Sequence, residues 1–192
     1  NQDKLWLYNL HYFDDLNAIE AIQRASWHAN LIERWIHENP PGYGNGWEAY
    51  PSSLRIVNWI KWSLIGNSFK QQWFDSLAIQ VRHLSNNLET DLLGNHLFAN
   101  AKALVFAGLF FKGKESDGWY QTGLNIIEKE LLEQVLTDGG NFELSPMYHS
   151  IFLLDLLDLV NIHHAYNKKQ ISGVKDKIPL MLYWLKSMCH PD

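Results

Sequence analysis

Two kinds of helix signal alternate along this sequence, and the alternation restricts the chain to folds built from two layers of helices. No segment shows credible strand alternation, and seven segments carry apolar residues at helical spacing. Four are amphipathic. Over about 17–38, Ile19, Ile22, Ala29, Ile32 and Ile36 share one face, and the pattern stops before Asn39-Pro40-Pro41, where the pre-proline restriction ends a helix. Over about 69–89 the row is Phe69, Trp73, Leu77, Val81, Leu84 and Leu88. Over about 117–136 it is Tyr120, Leu124, Ile127, Leu131 and Val135, and a weaker example covers about 175–189, with Pro179 in its first turns.

The three segments between them are apolar around most of their circumference. They lie at about 52–65 (Leu54, Ile56, Val57, Trp59, Ile60, Trp62), about 96–111 (Leu97-Phe98-Ala99 through Leu109-Phe110-Phe111) and about 146–166 (Ile151-Phe152-Leu153-Leu154 through Leu159-Val160). A helix with no wet face must be enclosed, so the order reads outer, inner, outer, inner, outer, inner, outer. The pattern predicts an all-α fold, an incomplete (α/α) toroid of antiparallel helical hairpins in inner and outer layers. An α-solenoid of hairpins also alternates helix types, although no short motif recurs here as solenoid repeats require.

The 192 residues suffice for one domain with a substantial core, and 1–192 is read as a single domain. With 46% hydrophobic and 19% charged residues, disorder is excluded. A net charge of −5 speaks against a broad nucleic-acid surface, yet a few local cations can still set the potential of a cleft that takes an acidic glycan. Most of the nine Trp serve packing, while an excess of such rings also suits stacking on sugar faces. Cys189 is the only cysteine, so no internal disulfide can form, and no apolar run is long enough to span a bilayer. The start at Asn1 without Met, and the end at His190-Pro191-Asp192 with no closing element, read as part of a longer protein. The compartment is therefore not legible from the termini.

Chemistry-bearing residues collect in one class of link. The inner-to-outer links, around Gly66-Asn67-Ser68, Lys112-Gly113-Lys114 and Lys168-Lys169-Gln170, are short and plainly polar. The outer-to-inner links are Gly42-Tyr43-Gly44-Asn45-Gly46-Trp47-Glu48-Ala49-Tyr50-Pro51, then Leu93-Gly94-Asn95-His96, then Asp138 through His149. In an up-down arrangement these three emerge on the same side, which places a candidate site there.

Each residue also has a plainer role open to it. Ser145 before Pro146 is an ordinary N-cap and first-turn pair, and Asn95 could serve only as a cap. His96 and His149 stand at helix starts, where a histidine is often just a satisfied polar group. His163-His164 reads as a solvated helix end, and no Cys/His spacing supports a metal site. Arg55 and Asn58 sit three apart on a buried helix. A guanidinium there needs a partner, which Glu48 or a substrate carboxylate could supply.

Four segments carry a family likeness: Leu5-Trp6-Leu7-Tyr8-Asn9-Leu10-His11-Tyr12-Phe13, Ser53-Leu54-Arg55-Ile56-Val57-Asn58-Trp59, Gly94-Asn95-His96-Leu97-Phe98-Ala99-Asn100 and Phe142-Glu143-Leu144-Ser145-Pro146-Met147-Tyr148-His149. Together they resemble the heparinase II/III-like polysaccharide lyases, which are similar to one group of alginate lyases. The resemblance implies an N-terminal toroid followed by a C-terminal β-sandwich, and β-elimination of a uronate-containing acidic polysaccharide. It also implies a periplasmic or secreted bacterial setting. By the same resemblance Asn95 and His96 neutralise the uronate carboxylate and Tyr148 transfers a proton. Arg55, Asn58, Trp47, Glu48, Glu143 and His149 are the expected substrate contacts. A further catalytic His or Tyr, and any metal of the sandwich, would come from beyond this chain.

Those residue types suit the reaction. Hydrogen bonds to the carboxylate let charge from the departing C5 proton delocalise onto it, while a base takes that proton and an acid protonates the leaving O4. No nucleophile, activated water or cofactor is required. Three rival readings remain: a toroid that binds carbohydrate or serves exopolysaccharide biosynthesis without turnover, a glycoside hydrolase using Glu48 and Glu143, and a helical interaction scaffold.

Overall fold

The alternating signals become helices close to where the periodicity puts them. The structure is a computed structural model and describes residues 2–91 and 94–189; Leu93 of the second link and the terminal His190-Pro191-Asp192 lie outside the described residues. The chain divides into two units, Asn1–Glu89 and Thr90–Asp192.

In the first unit, helix α1 (Lys4–Asn9) is capped by Asp3, whose Oδ1 accepts the Leu5 N–H at 2.9 Å. Turns of 3₁₀ helix at Asp14–Asn17 and Ala21–Arg24 lead into α2 (Ala25–Glu38); another at Asn45–Trp47 precedes α3 (Ala49–Leu64) and α4 (Gln71–Ser85). Trp62 meets Trp73 at a ring separation of 5.9 Å, and Arg55 meets Gln80 further along, so α3 and α4 run antiparallel. The helix α3 buries ten of its sixteen residues against three of fourteen in α2 and five of fifteen in α4, which makes it the inner element.

The amphipathic reading of 17–24 is corrected. Glu20 adopts a left-handed φ of 61°, Ile19 and Ile22 are exposed, and the buried face of α2 is His28, Ile32 and Trp35. The reason is Asp15. Its carboxylate accepts two hydrogen bonds from Arg24, at 2.9 and 2.8 Å, and pairs with His28 Nε2 at 2.7 Å. The Arg24 and His28 hydrogen bonds pull the Asp15 carboxyl down to about 2, and these three bonds from two partners hold this stretch in turns where apolar spacing alone suggested α-helix.

In the second unit, α5 (Gly94–Phe110), α6 (Lys114–Gln134), α7 (Pro146–Ala165) and α8 (Val174–Met188) follow in order. Phe98 stacks near Phe152 at 4.3 Å, and Lys102 bonds Asp155 and Asp158 further down both helices, so α5 and α7 run parallel. The backbone of α6 opposes α5, since Gly108 faces Tyr120 while Gly123 faces Ala101 and Val105. His149, in the first turn of α7, pairs with Met181 and Trp184 in the later half of α8.

Enclosure is most complete for α5, with twelve of seventeen residues buried. It is partial for α7, where eight of twenty are buried and Met147, Ile151, Leu154 and Leu157 remain exposed, so the expectation of a helix enclosed on all sides holds for one side of it only. No described element packs over that row. The reading of His163 as solvated is also corrected: it is buried, with Nδ1 on the Leu159 carbonyl at 2.8 Å and Nε2 on the Tyr120 hydroxyl at 3.1 Å. Its pKa is lowered, chiefly by burial.

Close approach of α5 and α6 depends on glycine. A Cβ on Gly123 would lie 2.7 Å from the Ala101 carbonyl oxygen, whereas one on Gly118 would meet nothing within 4 Å. Gly118→Ala is therefore expected to stabilise by up to about 1 kcal/mol, through helix propensity. Gly123→Ala should destabilise by about 1–3 kcal/mol, because backbone cannot yield to the added methyl. Denaturant unfolding of the two variants checks the opposite signs.

Candidate active site

Because α5 and α7 are parallel, their first turns stand at the same end of the second unit. Gly94 opens α5 with a left-handed φ of 58°, and a Cβ there would lie 3.7 Å from Glu143 Oε1, which ties the start of α5 to the link before α7. Asn95 is the second residue of α5, and it and His96 are half-buried. Ser145 caps α7 as expected, its Oγ accepting the Tyr148 N–H at 3.4 Å with Pro146 in the first turn. Tyr148 is half-buried in that turn, and its hydroxyl makes no hydrogen bond among the described residues. Two helix N-termini, each carrying positive dipole charge, thus stand at the same end of the unit, an arrangement that favours an anion.

The link from α6 to α7 is built from backbone hydrogen bonds. Leu136 N–H bonds the Gly140 carbonyl and Phe142 N–H the Gln134 carbonyl, both at 2.9 Å, around an isolated antiparallel bridge of Val135 and Asn141. Asn141 Oδ1 accepts the Glu143 N–H at 3.0 Å, which leaves the Glu143 side chain exposed. Leu144 then takes a left-handed φ of 54° immediately before the cap, a conformation that costs a leucine energy and sets the entry into α7.

His149 has a structural place. It is fully buried, its Nδ1 accepts the Asn141 N–H at 3.2 Å, its Nε2 donates to the Met181 carbonyl at 3.0 Å, and its ring stacks on Trp184 at 4.4 Å. It clamps the link and α8 onto α7, and a substrate cannot reach it.

In the first unit, Arg55 is also sealed, at 0% exposure. Its Nε donates to Gln80 Oε1 at 2.8 Å, Nη2 to Ser52 Oγ at 3.2 Å and Nη1 to the His11 carbonyl at 3.4 Å, with the guanidinium 3.8 Å over the Trp35 ring. Glu48, the partner within this chain anticipated from the sequence, is not among them; neutral oxygens and an aromatic face hold the charge, and burial lowers its pKa well below the ordinary arginine value. Trp47 is buried, donating Nε1–H to the Asn39 carbonyl at 3.2 Å and packing on Trp35. Asn58 pins the N-terminal segment through the Tyr12 carbonyl at 2.8 Å and Asp14 Oδ1 at 2.9 Å. Glu48 accepts from the Tyr8 hydroxyl and pairs with Lys4 at 2.9 Å. Burial acts to raise the Glu48 carboxyl, but those two hydrogen bonds outweigh it and lower the pKa.

Sequence reasoning missed the polar groups behind the first turns. Buried Gln134 donates to the Gly94 carbonyl at 3.0 Å and to buried Glu130 at 2.8 Å. Lys102 in α5 bonds Asp155 at 2.7 Å and Asp158 at 2.6 Å in α7. Polar residues interrupting an apolar face were the available signal. Among the described residues no group of three or more His, Cys, Asp or Glu side chains could hold a metal ion.

With this geometry in place, comparison with known proteins identifies the class. A family described as Heparinase II/III N-terminus matches residues 19–192. The chain belongs to that family. It is 33% identical over 201 residues to a heparin-sulfate lyase of Pedobacter heparinus, covering 91% of this chain and 30% of that protein. A heparin-sulfate lyase of Bacteroides stercoris is 34% identical over 106 residues, or 52% of this chain and 15% of that protein. The crystal structure of heparan sulfate lyase HepC from Pedobacter heparinus matches with a TM-score of 0.73 and 26% identity, over 100% of this chain and 33% of that one. The chain thus spans at most a third of these relatives. The likeness supports the all-α toroid class over the solenoid.

The clamp assigned to His149 predicts a stability effect. His149→Leu should leave the Asn141 N–H buried and unpaired, costing about 1–3 kcal/mol, and should remove the second hydrogen bond on the Met181 carbonyl, which α8 already bonds within its own helix. Unfolding should show a loss of at least about 1 kcal/mol; a change within experimental error removes the clamp.

Proposed function

We propose that this chain forms the helical, substrate-binding part of a polysaccharide lyase that cleaves a uronate-containing polysaccharide of the heparan sulfate class by β-elimination. The observation that carries this reading is the parallel packing of α5 and α7, which brings the turn holding Asn95 and His96 to the same end as the turn holding Tyr148. Family membership and the activity named for the relatives supply the substrate class. The partner that completes the site would be a further domain of the same protein.

In this reading the Asn95 amide and His96 hydrogen-bond the uronate carboxylate, aided by the positive ends of α5 and α7. As the C5 proton leaves, its electron pair forms the C4–C5 double bond, the C4–O4 bond breaks, and O4 takes a proton. Tyr148 is the proton-transfer group on this chain, and its polar neighbours fix the backbone while leaving its hydroxyl available. The hydrolase alternative lacks support, because Glu48 is already held by Tyr8 and Lys4.

The test uses full-length protein and the ultraviolet absorbance of the unsaturated uronate product on heparan sulfate, hyaluronate, alginate and bacterial exopolysaccharides. Tyr148→Phe should lower kcat by at least about 10²–10⁴-fold with KM nearly unchanged. Asn95→Ala should lower kcat and raise KM, since it removes a contact made to the ground-state carboxylate. Near-parental turnover by Tyr148→Phe on a substrate the parent cleaves would make Tyr148 a packing residue and defeat the mechanism.

A further inference from the structure

We propose that the Lys102–Asp155–Asp158 cluster, in which Lys102 and Asp158 are buried, is the positioning device that holds Asn95 and Tyr148 level with each other across the site; this rests on the roles given to those two residues above. Lys102 lies seven positions after Asn95 in α5, and Asp155 lies seven after Tyr148 in α7. Seven residues are close to two helical turns, so each charged residue sits on the same face as the site residue above it, about 10 Å deeper. The offset of 53 positions between Lys102 and Asp155 is also the offset between Asn95 and Tyr148. Between the two levels, Phe98 and Phe152 meet at 4.3 Å with an offset greater by one. One register therefore serves the whole interface.

Apolar packing alone does not fix that register. Phe98 and Phe152 meet on this surface among other buried apolar residues of the two helices, and such contacts carry no directional bond that a shift along the axis would break. An ion cluster does not tolerate it. Lys102 is 7% exposed and bonds one oxygen of each aspartate, at 2.7 and 2.6 Å. A slip of one helical turn, about 5.4 Å, would part the buried Lys102 ammonium from its two carboxylates. Burial acts to lower the Lys102 pKa, but the two aspartates outweigh it and raise the value, so the Lys102 ammonium stays charged. Polar groups that specify register at a cost in stability are known from coiled coils, and parallel α5 and α7 meet the same requirement.

Two readouts in the full-length protein test this, one independent of turnover. Nitroxides at Asn95→Cys and Tyr148→Cys, in a background without other cysteines, report the separation of the two first turns. In the parent the dipolar spectrum should give one narrow short distance; in the charge-free triple variant Lys102→Met/Asp155→Asn/Asp158→Asn it should broaden while circular dichroism is retained. Without the labels, the triple variant should lose about 100-fold in kcat with KM within about two-fold, the signature of misplaced groups. Lys102→Arg, which keeps the charge, should recover most of it. If the triple variant does not fold, Asp158→Asn alone, which retains the Lys102–Asp155 pair, should show a smaller loss of the same kind. An unchanged narrow distance, or full kcat, in a folded triple variant overturns the proposal. A parent with no lyase turnover but a spin-pair distance that broadens on charge removal would sink the lyase reading and leave the register device standing.

Discussion

Enclosure of α5 is the constraint on which the second unit depends. Its core from Leu97 to Ala107 has every residue buried, Lys102 included, and such a helix has no face to offer water. Burial of this row is the main apolar gain available to the unit, at about 25 cal/mol per Å² of surface covered. It obliges α6 to approach so closely that Gly108 and Gly123 have no room for a side chain, and it brings α7 alongside in parallel. Parallel neighbours share an end. The position of the candidate site follows from the need to cover α5, before any residue of the site contributes.

Much of this was legible in the sequence because periodicity and caps report local physics. The all-apolar row at 96–111 marked α5, and Ser145-Pro146 marked the start of α7, to within a residue or two. Tertiary polar contacts were not legible. Asp15 turned residues 17–24 out of helix by bonding Arg24 and His28, partners thirteen or fewer positions away that no apolar count can weigh. Arg55 was recognised as needing a partner, but the partner is a neutral cage of Gln80, Ser52, a carbonyl and Trp35. The sequence offers no rule that chooses neutral oxygens over Glu48.

The candidate residues separate by burial into two kinds. Arg55, Trp47 and His149 are enclosed, with their polar atoms satisfied by the protein itself. Asn95, His96, Glu143 and Tyr148 keep part of their surface open. Both kinds carry side chains able to do chemistry, so residue type in a link could not tell them apart. The enclosed residues determine where the open ones stand: His149 fixes Asn141, Asn141 fixes the Glu143 backbone, and Ser145 fixes the first turn that bears Tyr148.

That division has an energetic logic. On the proposed roles, a group that binds a carboxylate or passes a proton works best with hydrogen-bonding capacity left open, because each internal partner competes with the substrate. Its position must therefore come from neighbours that are fully satisfied and cannot move without leaving a buried donor or acceptor unpaired. Behind α5, Gln134 holds the Gly94 carbonyl; behind α7, His149 and Ser145 hold the link; between them, Lys102 joins Asp155 and Asp158. Polar groups buried at these three places cost stability that an apolar core would not, and they fix a geometry that an apolar core would leave free to slide.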